Sequence, residues 1–274
     1  MTAAYILILL GTGITVGFAS GLLGVGGGFI MAPVQYMVYT GMGLSTDIAM
    51  RLAFGTNLLV ILPTALSGTW RHHKKGAVRW RAAVIMGSCG TATAFGGATL
   101  ATHLNGEVLK VLFAVAVMLA GIRMLTARIT EKETPAGNNP WLFAAWALPI
   151  GLLTGLLGIG GGILAVPVLV IALRFKIRHA VATSLAIMLF TSTGGIIGYI
   201  VNGADITGLP PYSLGYIHLP SWLLLMTTSI GMAQVGAITA HKLAAPKLRF
   251  IFVILMFYLG LRMLGVFEWL GWPL

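Results

Sequence analysis

The sequence predicts an all-α integral membrane protein built from two inverted, related repeats. Three observations lead to this prediction. The chain is 58% hydrophobic and only 8% charged, it contains long runs without Asp, Glu, Lys or Arg, and one glycine-rich sequence occurs twice. Soluble domains contain about 25% charged residues. So few charges could not cover a soluble fold of 274 residues, and lipid is therefore the expected solvent.

The uncharged runs predict six simple transmembrane helices of about 20 residues, and the two shorter runs, 111–122 and 250–261, need a few flanking residues to reach this length. They place spans near 52–70, 82–102, 108–127, 180–201, 219–240 and 247–266. Two further stretches, 4–40 and 141–173, are too long for one helix and contain the glycine-rich sequence. Each predicts a longer helix, a break and a short helix, over 28–40 and 162–173. Because so short a helix does not cross a bilayer alone, we expect a re-entrant hairpin in each half.

The glycine-rich sequence and its surroundings match without a gap. Gly21-Leu-Leu-Gly-Val-Gly-Gly-Gly corresponds to Gly155-Leu-Leu-Gly-Ile-Gly-Gly-Gly, and each copy is followed by a proline, Pro33 or Pro167. The two prolines are predicted to have a structural role, because proline inside a helix shapes or kinks it.

The similarity continues beyond the break, where Ala53-Phe-Gly-Thr-Asn resembles Ala180-Val-Ala-Thr-Ser. An internal repeat of this extent determines the architecture. The predicted organisation is a first repeat over 1–127, a polar cytoplasmic linker over 128–140 and a second repeat over 141–274.

The distribution of Lys and Arg indicates how the halves are oriented. If each break returns the chain to its own side, each half crosses three times and 14 basic residues face one side against 3 on the other. If each broken stretch crosses once, the halves are parallel and the counts are 9 and 8. Cytoplasmic loops are rich in Lys and Arg. The sequence therefore predicts inverted halves with both termini outside the cytoplasm, although two full crossings per broken stretch would give the same sides.

The two breaks are the predicted substrate site. In lipid, an interrupted helix persists only where protein or a watery cavity satisfies its backbone. Inverted-repeat transporters bind substrates at such half-helix ends near the midplane, and helix N-termini favour anions. The alternatives are glycines that only allow tight helix packing and a nucleotide-binding loop, which would need a preceding strand. The predicted substrate-binding glycines are Gly26, Gly27, Gly28, Gly160, Gly161 and Gly162.

Four polar side chains early in the following spans are predicted to complete this site. Their hydrogen-bond donors would suit an oxyanion, whereas the alternative is bonding to their own helix backbone or helix–helix contact. These residues are Thr56, Asn57, Thr183 and Ser184.

Several classes of function are not expected. The net charge of +11 does not indicate nucleic-acid binding, because the basic residues lie between apolar spans. No recognised metal-ligand spacing and no nucleophile–base pair deep in a span is present, so no metal, cofactor or enzyme activity is predicted. The expected partners are the bilayer and a small anion, and a homo-oligomer is compatible with the sequence.

The doubled GLLGxGGG motif, the proline after it and the Thr-Asn or Thr-Ser pair resemble the TauE/SafE family of sulfite exporters, also called the TSUP family. The resemblance covers nearly the whole chain. It implies transport of small sulfur-containing anions such as sulfite, or of sulfonates and related carboxylated compounds, across the inner (plasma) membrane of a bacterium or archaeon. Asn57 departs from the pattern, since Ser184 carries the more usual hydroxyl, and this predicts unequal half-sites. An anion channel and a carrier of a small carboxylate are the alternatives.

The sequence contains six carboxylates, and all of them lie in predicted loops or at span ends. Proton-coupled carriers often use a buried carboxylate or histidine. Any proton coupling is therefore predicted to use the substrate's own titration or a group at a span end. Export driven by the membrane potential is equally compatible, since it is downhill for an anion by about 2.3 kcal/mol per 100 mV.

Overall fold

The computed structural model describes residues 2–23, 26–126, 139–239 and 245–269, and this part of the chain is predominantly helical, with no strand and one isolated β-bridge. The predicted all-α class is therefore confirmed. The helices are, in chain order, α1 (Ala3–Leu23), α2 (Gly28–Gly41), α3 (Thr46–Lys74), α4 (Trp80–His103), α5 (Gly106–Thr126), α6 (Pro140–Leu157), α7 (Gly162–Pro167), α8 (Ile177–Gly203), α9 (Leu219–Thr239), α10 (Ala245–Met263) and α11 (Val266–Trp269).

Among the described helices, α3, α4, α6 and α8 are long and apolar enough to cross a membrane. The described parts of the six predicted spans lie within α3, α4, α5, α8, α9 and α10, except that α10 ends three residues early, at Met263. The first span is longer than its uncharged run because capping determines where α3 begins. Ser45 accepts a hydrogen bond from the backbone N–H of Ile48, and Asp47 lies in the first turn.

Both broken stretches have the predicted order of longer helix, break and shorter helix. The first break separates Leu23 from Gly28, and the second separates Leu157 from Gly162. The short helices then differ: α2 continues regularly through Pro33, whereas α7 ends at Pro167 and continues as the π-helical segment Val168–Ala172. A wider π-helical turn is one way in which a helix accommodates a residue that lacks an N–H.

The halves pack through equivalent helices. α3 and α8 run antiparallel, because Gly68 lies against Leu185 while Gly195 lies against Leu58. α5 and α10 also pack antiparallel to each other. In addition, α1 packs on α9 while α6 packs on α4, so that the first helix of each half contacts the fourth helix of the other.

Of the predicted linker over 128–140, only the last two residues lie within the described residues. The side-chain oxygen of Asn139 accepts a hydrogen bond from the N–H of Trp141, and Pro140 is the first residue of α6. Asparagine before the helix and proline at its first position are both favourable there. The predicted second repeat thus begins with a well-capped helix.

The connection between α8 and α9 folds back against the helices. Tyr216 and Ile217 are buried, and the N–H of Tyr216 donates to the carbonyl of Tyr199 in α8 at 3.1 Å. On α3, Gly55 lies directly beneath the carbonyl of Tyr216. Residues 215–218 are therefore buried in the helix bundle, beside α3 at Gly55 and Thr56.

Candidate functional site at the two glycine breaks

The two breaks share a backbone conformation at the last two residues before each short helix. Gly26 and Gly27 have φ of 81° and 65°, and Gly160 and Gly161 both have φ of 77°. These values lie in the left-handed region, which residues with a Cβ rarely adopt. Neither short helix has a side-chain cap at its first turn. The glycines therefore recur because both breaks need left-handed residues. Each short helix begins without a side chain that caps its first N–H groups.

The two breaks lie in contact with each other. A Cβ atom on Gly28 would lie 3.0 Å from the carbonyl oxygen of Ile159, in the opposite break. Asn57 joins them, since its Nδ2 donates to the carbonyl of Gly28 at 3.1 Å and to that of Gly158 at 2.5 Å. Its Oδ1 is buried and has no hydrogen-bond partner. One side chain from α3 thus holds both halves together at the breaks.

Two apolar side chains lie against the glycines from opposite halves. The terminal methyl of Met188, in α8, contacts Gly26 and lies 3.2 Å from a Cβ built on Gly160. Ile61, in α3, approaches that Cβ to 2.8 Å. Ile61 and Met188 are equivalent positions when the Thr-Asn and Thr-Ser pairs are aligned. Asn57 and Ile61 lie near the middle of α3, and Met188 lies near the middle of α8. The breaks that they contact are therefore level with the middle of these two helices.

Gly27 and Gly161 face away from this junction. A Cβ on Gly27 would meet Val16 of α1, and one on Gly161 would meet Thr154 of α6. Both positions therefore support packing of each short helix against its own longer partner. Gly162, the first residue of α7, is buried.

The two predicted threonines have a reciprocal role. The hydroxyl oxygen of Thr56 accepts the backbone N–H of His218 at 2.9 Å, and that of Thr183 accepts the backbone N–H of Arg79 at 3.1 Å. His218 and Arg79 each directly precede the fourth helix of their half. Each threonine thus fastens the loop of the opposite half to its own helix, which sequence reasoning did not anticipate.

Ser184 has the alternative role that the sequence left open. Its hydroxyl donates to the carbonyl of Val181 in its own helix at 2.9 Å. The contrast with Asn57, which contacts both breaks, fits the predicted inequality of the half-sites. Of the predicted residues, the structure brings together Gly26, Gly28, Asn57 and Gly160, while Thr183 and Ser184 bond elsewhere.

A buried polar cluster beside Thr56 was missed at the sequence level. His218 is 2% exposed, its Nδ1 lies 2.7 Å from the hydroxyl of Ser221, and its ring meets Tyr39 edge to face at 5.7 Å. The Tyr39 hydroxyl donates to Gln35 at 3.3 Å. One sequence signal could have indicated this burial. The connection between α8 and α9 is rich in Leu, Tyr and Ile, which a solvated loop does not need.

Metal binding finds no support in the described part of the chain. No group of three His, Cys, Asp or Glu side chains comes close enough there to hold an ion.

Four described helices that are long and apolar enough to cross a membrane indicate a multi-pass membrane protein. The chain belongs to the family described as Sulfite exporter TauE/SafE, which it matches over residues 9–263. Its likeness to probable membrane transporter proteins extends over almost the full length. One from Methanocaldococcus jannaschii is 28% identical over 94% of both chains. One from Haemophilus influenzae is 28% identical over 94% of this chain and 98% of its own. YunE of Bacillus subtilis is 26% identical over 95% and 98%, respectively. No solved structure matches the chain significantly.

Proposed function

We propose that the chain is a secondary transporter of small anions, foremost sulfur-containing ones such as sulfite and sulfonates, in the plasma membrane. The anion binds where the two glycine breaks meet. The observation that supports this most is the contact between the breaks, bridged by Asn57 near the middle of α3. Two uncapped helix N-termini in one place provide backbone donors and positive dipole ends for a negative charge.

Inversion of the halves is supported by helix direction. Parallel halves would make equivalent helices cross the membrane in the same direction, whereas α3 and α8 run antiparallel, as do α5 and α10. The bias of Lys and Arg agrees with this, and it places both termini on the non-cytoplasmic side. Inverted halves give a site that either face can open to, as alternating access requires.

A carrier is favoured over a channel by what lies against the glycines. Ile61 and Met188 contact the breaks from opposite halves, and an open pore would need both side chains withdrawn. A carrier moves such groups once per cycle, so its turnover is slow. A small carboxylate has the same charge as a sulfonate and competes for the same donors, so it is tested beside them.

The test is transport in proteoliposomes with a panel of sulfite, thiosulfate, sulfonates and carboxylates. Gly26→Ala and Gly43→Ala form a matched pair of variants. Both glycines have left-handed φ, 81° and 87°, so alanine is strained at each. Only at Gly26 does the new methyl meet another group, the end of Met188, whereas around Gly43 there is open space.

We expect Gly26→Ala to reduce anion uptake at least tenfold and Gly43→Ala to retain it at equal amounts of folded protein. Equal uptake by the two variants would argue against a site at the breaks. Ion currents far faster than carrier turnover would identify a channel. Uptake restricted to carboxylates would redefine the substrate.

A further inference from the structure

The buried polar cluster beside Thr56 is not explained by anion binding alone. It consists of Gln35 and Tyr39 from α2, Thr56 from α3, His218 from the loop and Ser221 from α9. All five are at most 2% exposed. The Nε2 of Gln35 has no hydrogen-bond partner. An unpaired buried polar group is costly, so the amide of Gln35 is the part of the cluster that a stable packed core does not need.

The ring of His218 is arranged so that it can gain a proton in place. Its Nδ1 faces the hydroxyl of Ser221 at 2.7 Å, and the carbonyl of Pro211 also interacts with the ring. A neutral ring accepts from the hydroxyl at Nδ1. Because a hydroxyl rotates freely, Ser221 also accepts from a protonated Nδ1. Protonation therefore leaves no buried donor unpaired.

The groups around His218 keep it neutral in this state. Burial lowers the pKa of His218 to about 4. From α2, the titratable group facing the ring is Tyr39. On α3, Arg51 donates to the hydroxyl of Tyr216, two residues before His218. Burial therefore disfavours the charged ring, and a nearby anion would oppose this effect.

The cluster combines α2 and α3 of the first half with the loop and α9 of the second, and it has no polar counterpart at the equivalent place. In the second half, Leu169 and Leu173 stand where the aligned glycines place Gln35 and Tyr39. Arg79 takes the place of His218 at the threonine bond, and Ala82 that of Ser221. A titratable group thus lies on one side of the breaks, toward the end of α2.

We propose that His218 is the proton-binding group of the transporter, so that proton and anion cross together. The idea rests on the proposed function. An anion at the breaks attracts a proton from water to Nδ1 of His218. An O–H bond of hydronium breaks as the N–H bond forms, and the Ser221 hydroxyl turns from donor to acceptor. Thr56 links the anion site to His218, because its hydroxyl accepts the backbone N–H of His218 and it directly precedes Asn57, which contacts the breaks. When the anion leaves, the proton returns to water on the same side as the anion.

The experiment uses proteoliposomes and two probes, sulfite and isethionate, a sulfonate whose charge stays constant over the pH range used. Exchange between equal pH values measures binding and movement, whereas uptake driven by a pH gradient measures coupling. A pH-sensitive dye reports proton flux. His218→Gln is compared with His179→Gln as control, since His179 also bonds through Nδ1, to the carbonyl of Ala77 at 2.8 Å, but lies at the other loop.

We expect His218→Gln to retain exchange within about twofold of the unmodified protein and to lose at least tenfold of gradient-driven uptake, together with anion-dependent proton flux. His179→Gln should retain both. Ser221→Ala should also lower gradient-driven uptake and proton flux while retaining exchange. If His218→Gln does not fold, Ser221→Ala provides the test.

Gradient-driven uptake that survives in both His218→Gln and Ser221→Ala would overturn the proposal. So would isethionate exchange by the unmodified protein without any response to the gradient, while leaving the proposed function intact. Failure of the unmodified protein to move either probe would overturn the proposed function itself.

Discussion

Replacement of Asn57 by alanine tests the central contact of the structure. The substitution removes the only side-chain donor recorded between the two breaks among the described residues, and with it two hydrogen bonds, to Gly28 and to Gly158. Hydrogen bonds between helices in membranes contribute about 0.6 kcal/mol on average and up to about 1.7 kcal/mol. The two together should stabilise the junction by about 1–3 kcal/mol, which corresponds to roughly a 5–150-fold change in its population.

Asn202→Ala is the matched control. Asn202 also donates two hydrogen bonds, to Thr99 at 3.0 Å and to Gly198 at 2.7 Å, and it joins α8 to α4 away from the breaks. Both variants should lose similar thermal stability in detergent. Hydrogen exchange at the start of α2 and α7 should increase only in Asn57→Ala.

Transport separates the two variants further. Asn57→Ala should reduce anion uptake about 5–150-fold when opening of the junction empties the site, while Asn202→Ala remains near the unmodified rate. If both variants lose uptake equally at equal loss of stability, Asn57 contributes only to packing, and its two hydrogen bonds do not hold a transport site together.

Other groups give independent tests. Thr183→Val removes the hydroxyl that accepts the backbone N–H of Arg79, a bond worth about 1 kcal/mol. Amide hydrogen exchange in the α3–α4 connection should therefore rise about fivefold. Unchanged exchange would show that Thr183 does not hold this loop. In a Cys89→Ser background, a charged thiol reagent should label Tyr212→Cys in intact cells and Lys75→Cys only after permeabilisation, and the opposite result would reverse the orientation. The pKa of His218 is lowered to about 4 in the folded protein, so the unfolded chain is protonated at a higher pH than the folded one. Thermal stability should therefore fall as pH drops from about 6.5 toward 4, less so in His218→Gln, and an equal fall in both would exclude this origin.

Much of the fold could be predicted because it depends on local properties. Uncharged runs marked the spans, and repeated glycines marked both breaks. The ends of helices were less predictable, because caps such as Ser45 and Asn139 extend helices past the apolar run. The π-helical segment after Pro167 also escaped prediction, since Pro33 in the equivalent position leaves α2 regular.

The site was less predictable because its contacts join residues far apart in sequence. Asn57 reaches Gly158, and the loop N–H that binds Thr56 belongs to His218. Residue type alone suggested a hydroxyl that donates to an anion. It could not reveal that both threonines accept a backbone N–H from the opposite half, nor that Ser184 bonds within its own helix.

These long-range bonds show where the two repeats are alike and where they differ, and the differences bear on the direction of transport. Two equal halves would give a site with the same properties toward both faces, and no preferred order of proton and anion binding. Here the shared features, left-handed glycines and threonine-bound loops, have the same geometry in both halves. The differing features, Asn57 against Ser184 and the polar cluster of His218 against its apolar counterpart, all place the extra polarity on α2, α3 and the loop that contacts them. Under the proposed mechanism, the repeated parts would serve the motion common to both faces, and the unequal parts would serve the coupling of proton and anion.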